Sequence, residues 1–374
     1  MSDKDQNNAN MGAGASMAGA KKSFSIWKVI LPVAIGLGVV ALMFYHDAKS
    51  ENIRQVWDNI RFTPRVVLCL LLGVLCMCGR DFGLIWRFRA LTDRKLTWTQ
   101  AWRVDMLCEF TNCVTPSAVG GSSLGMVFLN TQGIEIGRAT TLMLTTLFMD
   151  ELFFVLSCPI IIMCTSASDI FSSGTATFSH GIKYTFWAVY ALITAWTFLL
   201  FMGIIWKPAW IQKTLDKIAS WHWLRKWGSQ ISGLGDNMVA TSKELRTKPF
   251  RFWLEVFVGT AFAWTFRYFV VNVLFWGFLP ASDPHQWIIL ARQFVIWVVL
   301  MVSPTPGGAG LSEWLFSSYY GDLVGTAGMA LILAVFWRLI TYYLYLLIGA
   351  IVVPSWLTRT FSKVRMGDKA KKLN

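Results

Sequence analysis

Charged side chains are scarce in this sequence: they make up 15% of its 374 residues, whereas soluble domains carry about 25%. Only 21 residues are acidic and four are histidine, while 55% are apolar and the mean hydropathy is +0.49. This composition excludes a secreted disulfide module, a coiled coil and a disordered chain. It is typical of an all-α polytopic membrane protein, whose core and headgroup-level positions accommodate the 20 Trp and 27 Phe.

Metal and cofactor motifs are also lacking. The seven cysteines lie in apolar stretches without metal-ligand spacing, and the four histidines are isolated from one another. A GAG triplet at 308–310 is followed by glutamate where a dinucleotide fingerprint has its third glycine, and no Walker sequence occurs. We therefore expect no metal, no cofactor and no nucleotide. The net charge of +13 falls between apolar runs, which favours an anionic membrane surface over nucleic acid as a partner.

Apolar runs predict six full transmembrane spans. A polar N-terminus over 1–26, which we expect to be disordered, precedes an apolar run at 29–45 that lacks a cleavage site and is interpreted as an uncleaved span. The transmembrane domain is predicted over 27–356 and a basic cytoplasmic tail over 357–374. The other runs long enough to cross about 30 Å of hydrocarbon lie at 64–86, 139–164, 182–206, 251–278 and 326–352.

Two more apolar segments, 104–130 and 287–320, are interrupted by proline and glycine and are too short to cross the bilayer twice. The breaks have the sequences TPSAVGG (115–121) and SPTPGGAG (303–310). Only short apolar pieces follow the breaks. We predict two re-entrant hairpins, because broken backbone at membrane depth must be packed in protein or face water.

The order span, hairpin, span occurs twice, over 64–164 and over 251–352. The single span between these units gives them opposite orientations, which predicts an inverted repeat with its site where the two broken segments meet. Loops 87–103 and 207–251 carry five and nine Lys or Arg, so the positive-inside rule places them and both termini in the cytoplasm. Apolar residues at helical spacing predict amphipathic helices over 209–248 on the inner leaflet.

Several charged residues lie inside apolar segments, where each costs about 2.5 to 3.5 kcal/mol on insertion scales. Asp150 and Glu151 lie near the middle of their span, while Arg267 and Arg338 lie in spans of the second repeat. We predict that one of these acids pairs with one of these arginines across the repeats. The alternative is that some of these charges line a polar pathway.

The glycine-rich breaks also have two interpretations. Glycine permits a sharp turn at the start of a half-helix, whose free N–H groups and dipole attract an anion such as phosphate; the alternative is a structural turn without a ligand. Glu313, three residues after Gly310, either caps the helix or faces a cavity and engages a cationic headgroup or a proton. We expect the cavity-facing role, because the preceding PGG already sets the turn.

The segments TPSAVGGSSLGMVFLNTQGI and SPTPGGAGLSEWLF, the second followed downstream by WRLITYYLYLLIGA, resemble the flippase-like transmembrane domain of lysylphosphatidylglycerol synthases and its stand-alone bacterial relatives. The resemblance covers about 64–355. It implies a multi-pass protein of the bacterial inner membrane that moves an anionic or aminoacylated lipid between leaflets. The soluble aminoacyl-transferase domain of the full synthases is absent from this sequence, so we do not expect an enzyme. After Gly121 the sequence SSL departs from many relatives, so headgroup preference does not carry over.

Our leading hypothesis is a translocase for a phospholipid or a polyprenyl-linked lipid, with the headgroup held by the two breaks and nearby charges. Two alternatives stay open. One is a membrane-embedded lipid-modifying transferase with Glu109, Asp150 or Glu313 as its base, and the other is an accessory protein of envelope synthesis in which the charges are structural. The candidate substrate-binding residues are Thr115, Pro116, Gly120, Gly121, Asp150, Pro304, Pro306, Gly307, Gly308, Gly310, Glu313 and Arg338.

Overall fold

The computed structural model covers the two predicted repeats and the segment between them; it describes residues 63–115, 120–172, 176–219, 228–279, 286–303, 305, 307–325 and 327–356. Predictions that fall outside these residues are the N-terminal segment 1–26, the first span at 29–45, the tail 357–374 and the candidates Pro116, Pro304 and Pro306. Within the described residues every regular element is a helix, which confirms the all-α fold class.

The helices of the described residues are α1 Pro64–Leu91, α2 Trp98–Val114, α3 Gly120–Thr131, α4 Ile136–Cys164, α5 Ala167–Phe171, α6 Ala176–Phe201, α7 Pro208–Ala219, α8 Gly228–Arg246, α9 Phe250–Phe278, α10 Gln286–Leu300, α11 Leu311–Val324 and α12 Ala327–Arg338. Helix α6 continues through a π-helical turn, Met202–Trp206. Helix α12 continues through a second π-helical turn, Leu339–Tyr343, as far as Trp356.

Five of these helices are long and apolar enough to cross a membrane. At about 1.5 Å per residue, their lengths of 28 to 30 residues exceed the thickness of the hydrocarbon core. They coincide with five of the six spans predicted from the sequence, and the chain is therefore a multi-pass membrane protein. The five helices are Pro64–Leu91, Ile136–Cys164, Thr177–Trp206, Phe250–Phe278 and Gly328–Trp356.

Local sequence signals set where several helices begin. The Thr63 hydroxyl accepts the N–H of Val66 at 3.3 Å, and proline follows Thr63 as the first residue of α1. Thr97 and Gln100 form a reciprocal capping box at the start of α2. Gly310 precedes α11 with a φ of +84°, a left-handed conformation that favours glycine. The start of α2 in the first hairpin and the start of α11 in the second are thus set by the residues at those positions.

The first helices of the two repeats, α1 and α9, pack closely along their lengths. Cys69 near the start of α1 faces Gly277 near the end of α9, while Gly83 faces Gly259. A Cβ atom on Gly83 would lie 2.8 Å from the carbonyl oxygen of Gly259, so the two backbones are in contact. The helices are therefore antiparallel, as opposite orientations of two inverted repeats require.

Each repeat inserts a helical hairpin between its two long helices. Helices α2 and α3 have 17 and 12 residues, and α10 and α11 have 15 and 14. Their lengths of about 18 to 26 Å are shorter than the hydrocarbon core. The second helix of each hairpin is longer than predicted, because α3 already begins at Gly120 within the glycine-rich break and α11 extends to Val324.

The two hairpins are held at opposite ends of the helix bundle. At one end, Arg138 at the start of α4 pairs with Asp93 of the α1–α2 loop at 2.9 Å. At the other end, Arg292 of α10 pairs with Asp322 of α11 at 2.6 Å and donates to the carbonyl oxygen of Asp169, which follows α4, at 3.2 Å. Each hairpin therefore begins and finishes at one end of the bundle, and its re-entry into the bilayer stays a prediction.

The stretch in which amphipathic helices are predicted, 209–248, contains α7 and α8, which pack against each other. Asn237 of α8 donates to Glu135 at 2.5 Å, and Glu244 pairs with Arg138 at 2.6 Å. These contacts join α8 to the start of α4, at the end of the bundle where the first hairpin is held.

Candidate functional site

The tips of the two hairpins touch in the interior of the bundle. The N–H of Gly307, in the second break, donates to the carbonyl oxygen of Thr115 at 3.4 Å. The Tyr342 hydroxyl, in the π-helical turn of α12, donates to the carbonyl oxygen of Cys113 at 3.1 Å. Gly307 has a φ of +58°, and a Cβ atom there would collide with the Tyr342 ring. Glycine is therefore required at 307 both for its backbone conformation and for the close approach of α12.

A cavity of about 260 Å³ lies beside these tips, and we call it the central cavity. Its wall comes from α1, α2, α4, α9, α10 and α12 together with the second break. The volume lies near the lower end of the range for small-ligand sites. Its arginines and carboxylates, among the described residues, are equal in number: Arg80, Arg87, Arg267, Arg338, Asp105, Glu109, Asp150 and Glu151.

Asp150, in the middle of α4, is paired with an arginine of α1. Its Oδ1 lies 2.5 Å from the Arg87 guanidinium and accepts the indole N–H of Trp264 at 2.7 Å. Arg87 also donates to the Thr260 hydroxyl at 3.2 Å. The ion pair lies within the first repeat, while Trp264 and Thr260 belong to α9 of the second. The pair neutralises two charges that would each be costly in hydrocarbon.

A second charge cluster surrounds Arg80, seven residues before Arg87 on α1. Its guanidinium lies 2.5 Å from Glu109 of α2 and 2.8 Å from Asp81. Arg267 of α9 lies 3.9 Å from the other oxygen of Glu109. The Tyr345 hydroxyl donates to Asp81 at 2.8 Å. Both repeats therefore contribute to this cluster, although its short ion pairs stay within the first repeat.

Arg338 is held rigidly beside the hairpin tips. Its Nε donates to Glu313 at 2.8 Å, its Nη1 donates to the carbonyl oxygen of Gly307 at 3.1 Å, and its guanidinium lies 3.8 Å from the centre of the Tyr342 ring. The side chain is 7% exposed. Its Nη2 is buried and has no hydrogen-bond partner among the described residues. The arrangement presents one unused cationic donor in a wall of the central cavity.

Glu313 does not line the central cavity, so its expected cavity-facing orientation is wrong. The side chain is fully buried: Oε1 accepts from Arg338, while Oε2 accepts the N–H of Gly310 at 2.8 Å and the Ser312 hydroxyl at 2.9 Å. The glycine turn leaves the first N–H groups of α11 without partners in its own helix, and the carboxylate satisfies one of them. Glu313 therefore caps α11 and orients Arg338.

The predicted ion pair between the repeats is also wrong. Asp150 pairs with Arg87, and Arg338 pairs with Glu313, so each of these pairs lies within one repeat. Glu151 has neither of the predicted partners. Similar depth in the membrane was the only evidence for the predicted pairing, and depth does not specify which face of a helix a residue occupies.

The other predicted site residues divide into two groups. Asp150, Gly307, Gly308 and Arg338 line the central cavity. Thr115 lies at the contact between the hairpin tips and Gly310 at the start of α11, while Gly120 and Gly121 begin α3.

Arg80, Arg87 and Asp105 are cavity residues that the sequence analysis missed. A sequence signal for the two arginines exists: they lie seven residues apart in a largely apolar helix, which places them on one face of α1. Asp105 lies in α2, is 1% exposed, and its Oδ2 has no partner among the described residues. The predicted span ended before Arg87, whereas α1 continues to Leu91.

The geometry defines a polytopic membrane protein of two inverted repeats, with broken helices that meet at a charged interior cavity. Residues 29–349 match the family model described as the lysylphosphatidylglycerol synthase TM region. The match covers most of the chain, which therefore belongs to this family. The chain is also similar to a UPF0104 membrane protein of Archaeoglobus fulgidus, with 25% identity in an alignment of 347 residues that covers 88% of this chain and 98% of the relative.

Proposed function

We propose that this protein translocates the anionic headgroup of a membrane lipid between the leaflets of the bacterial inner membrane, while the acyl chains stay in the bilayer. One observation carries the proposal: the Nη2 group of Arg338 is a buried donor without a partner in the described residues, at the cavity where the two hairpins meet. A phosphate oxygen supplies the acceptor that this donor lacks.

The fixed orientation of the Arg338 side chain supports phosphate recognition. Glu313, Gly307 and Tyr342 fix the plane of the guanidinium before a ligand binds, so little side-chain entropy is lost on binding. Both phospholipids and polyprenyl-phosphate lipids carry the required oxygens. The cavity accommodates a headgroup, and the lipid-facing surface of the spans leaves the chains in hydrocarbon.

Inverted repeats with discontinuous helices are typical of transporters, which supports movement over catalysis. Two acids considered as catalytic bases, Glu109 and Asp150, are already paired with arginines at 2.5 Å, and Glu313 lies outside the cavity. We propose that the chain is not an enzyme. We also propose that the end of the bundle holding Arg138 and α8 is cytoplasmic, together with both termini, because the basic loops lie there.

Reconstituted protein tests the proposal. Liposomes containing fluorescent phosphatidylglycerol, or in a second arm a fluorescent polyprenyl phosphate, report transfer between leaflets when an impermeant quencher is added. The change is Arg338→Lys, which keeps the charge opposite Glu313 but removes the planar donor fork. Loss of a charge-assisted hydrogen bond of about 1.5 kcal/mol lowers the transfer rate roughly tenfold.

The matched control is Arg246→Lys, an exposed residue at the end of α8 outside the cavity, which should transfer lipid at the parent rate. Equal rates for parent and Arg338→Lys would remove Arg338 from the site. Chemically altered lipid recovered from the liposomes would indicate a transferase. Parent protein no faster than empty liposomes would refute translocation and favour an accessory role.

A further inference from the structure

Two consecutive carboxylates in the middle of α4 have opposite environments. Asp150 accepts hydrogen bonds from Arg87 and Trp264. Glu151 is 2% exposed and also lines the central cavity, yet its Oε2 is buried without a partner among the described residues. The neighbouring charge that acts most directly on Glu151 is that of Asp150, which is another anion. Asp150 therefore has its charge compensated, and Glu151 does not.

Among the described residues, the other elements around Glu151 supply no cation that pairs with it. Arg267 and Tyr268 of α9 line the same cavity, but Arg267 lies beside Glu109. Arg292 of α10 pairs with Asp322 at the far end of the bundle, the Tyr190 hydroxyl of α6 donates to the Val155 carbonyl, and α3 has no ionisable side chain. Across the cavity, the ionisable groups of the described residues are Arg80 and Arg87 of α1, Asp105, Cys108, Glu109 and Cys113 of α2, and Arg338 and Tyr342 of α12.

We propose that Glu151 is a proton-binding site of the central cavity and that its protonation is coupled to movement of the anionic headgroup. The inference rests on the proposed function. A proton adds to the carboxylate to give the neutral acid, and no other bond forms or breaks. Binding a proton relieves the cost of an unpaired buried charge.

The charge balance of the cavity provides the coupling. Asp150, Glu109 and Glu313 already lie against arginines of the cavity wall, whereas the charge of Glu151 is opposed by no such partner in the described residues. A proton on Glu151 removes one negative charge from the cavity, which favours an anionic headgroup; a bound anion in turn favours the protonated acid. The two ligands therefore increase each other's affinity, as linkage requires. A proton and a singly charged anion then cross together without net charge.

An imposed pH gradient tests the coupling in liposomes that contain fluorescent phosphatidylglycerol. One pH unit is a tenfold difference in proton activity, so a rate limited by proton binding changes up to about tenfold. We expect the parent rate to increase when the gradient drives protons in the direction of lipid transfer and to decrease when it is reversed. Glu151→Gln, which resembles the neutral acid in size, should transfer lipid at a rate independent of the gradient. Glu135→Gln, an exposed residue outside the cavity, should respond as the parent does.

Infrared spectroscopy of the purified full chain measures proton binding without transport. Above about pH 6, where exposed carboxyl groups are ionised, the carbonyl band of protonated carboxyl groups should be smaller by one group in Glu151→Gln and unchanged in Glu135→Gln. A gradient response that persists in Glu151→Gln, or a band that this change leaves intact, would overturn the inference. If the parent transfers no lipid, the proposed function and the coupling both fail, whereas an unresponsive parent that does transfer lipid refutes the coupling alone.

Discussion

The Glu313–Arg338 pair allows a quantitative test of how the second break is held. Glu313→Gln removes the charge opposite Arg338 but keeps the size of the side chain. The carboxylate now accepts three hydrogen bonds, from Arg338, Gly310 and Ser312. A glutamine amide presents one oxygen and one NH2 group, so a donor must face a donor in this site. Arg338 then becomes a buried cation without its counter-ion.

Breaking a buried pair by removing one partner costs about 3 to 5 kcal/mol, because the remaining charge is uncompensated. For a chain of this length, a loss of 1 kcal/mol lowers Tm by about 2 °C. Glu313→Gln should therefore lower Tm by about 6 to 10 °C, measured by tryptophan fluorescence during heating of the protein in detergent. The exposed control, Arg246→Lys, should change stability by less than about 0.5 kcal/mol.

A double-mutant cycle separates the pair from other effects of the glutamine. In the Arg338→Gln background, the guanidinium that would lose its counter-ion is already absent. Glu313→Gln should therefore destabilise this background by at least about 1 kcal/mol less than it destabilises the parent, which is the order of magnitude expected for residues in contact. Additive losses would contradict direct pairing. A Tm of Glu313→Gln within about 2 °C of the parent would refute the argument that this carboxylate holds the break.

Three further predictions concern close contacts and topology. Gly307→Ala should cost about 1 to 3 kcal/mol, because alanine is strained at positive φ and its Cβ meets a ring of α12. Gly83→Ala should also lower Tm, because the added methyl group separates α1 from α9. The control for both changes is Gly321→Ala, where no atom lies within 4 Å of the added Cβ. If Gly321→Ala lowered Tm as much as the other two changes, the argument from close packing would be contradicted. Single cysteines at Thr97 and Gly133, with native cysteines removed, should react from the same side of the membrane; opposite sides would refute re-entry of the first hairpin.

The long helices and their order were predictable because the length of an apolar run can be read directly from the sequence. The boundary of α1 was not: Arg87 looks like the end of a span, yet the helix continues because Asp150 compensates that charge. The start of α3 was missed for a related reason. Glycine and serine at 120–123 have low helix propensity, which favoured a break there, but the helix already begins at Gly120.

The site was predictable in its location and not in its pairings. Two broken segments in matching positions indicated where the cavity lies, and Asp150, Gly307 and Arg338 do line it. Which acid meets which arginine depends on rotation about each helix axis, and the apolar sequence of a buried span gives little amphipathic signal for that rotation. Glu313 and Arg338 show the consequence, since both were identified as functional and only the fold reveals that one holds the other.

The distribution of contacts bears on how the two repeats can move. The short ion pairs at the cavity, Arg87–Asp150 and Arg338–Glu313, lie within a repeat. Contacts across the repeats there are hydrogen bonds and one longer ion pair: Trp264 donates to Asp150 at 2.7 Å, the Tyr345 hydroxyl donates to Asp81 at 2.8 Å, and Arg267 lies 3.9 Å from Glu109. Breaking a buried ion pair costs about 3 to 5 kcal/mol, whereas a hydrogen bond to a charged group is worth about 1.5 to 3 kcal/mol. Each repeat therefore keeps its short ion pairs if the two repeats tilt about the α1–α9 contact, which is the movement that the proposed translocation would use in an alternating-access cycle.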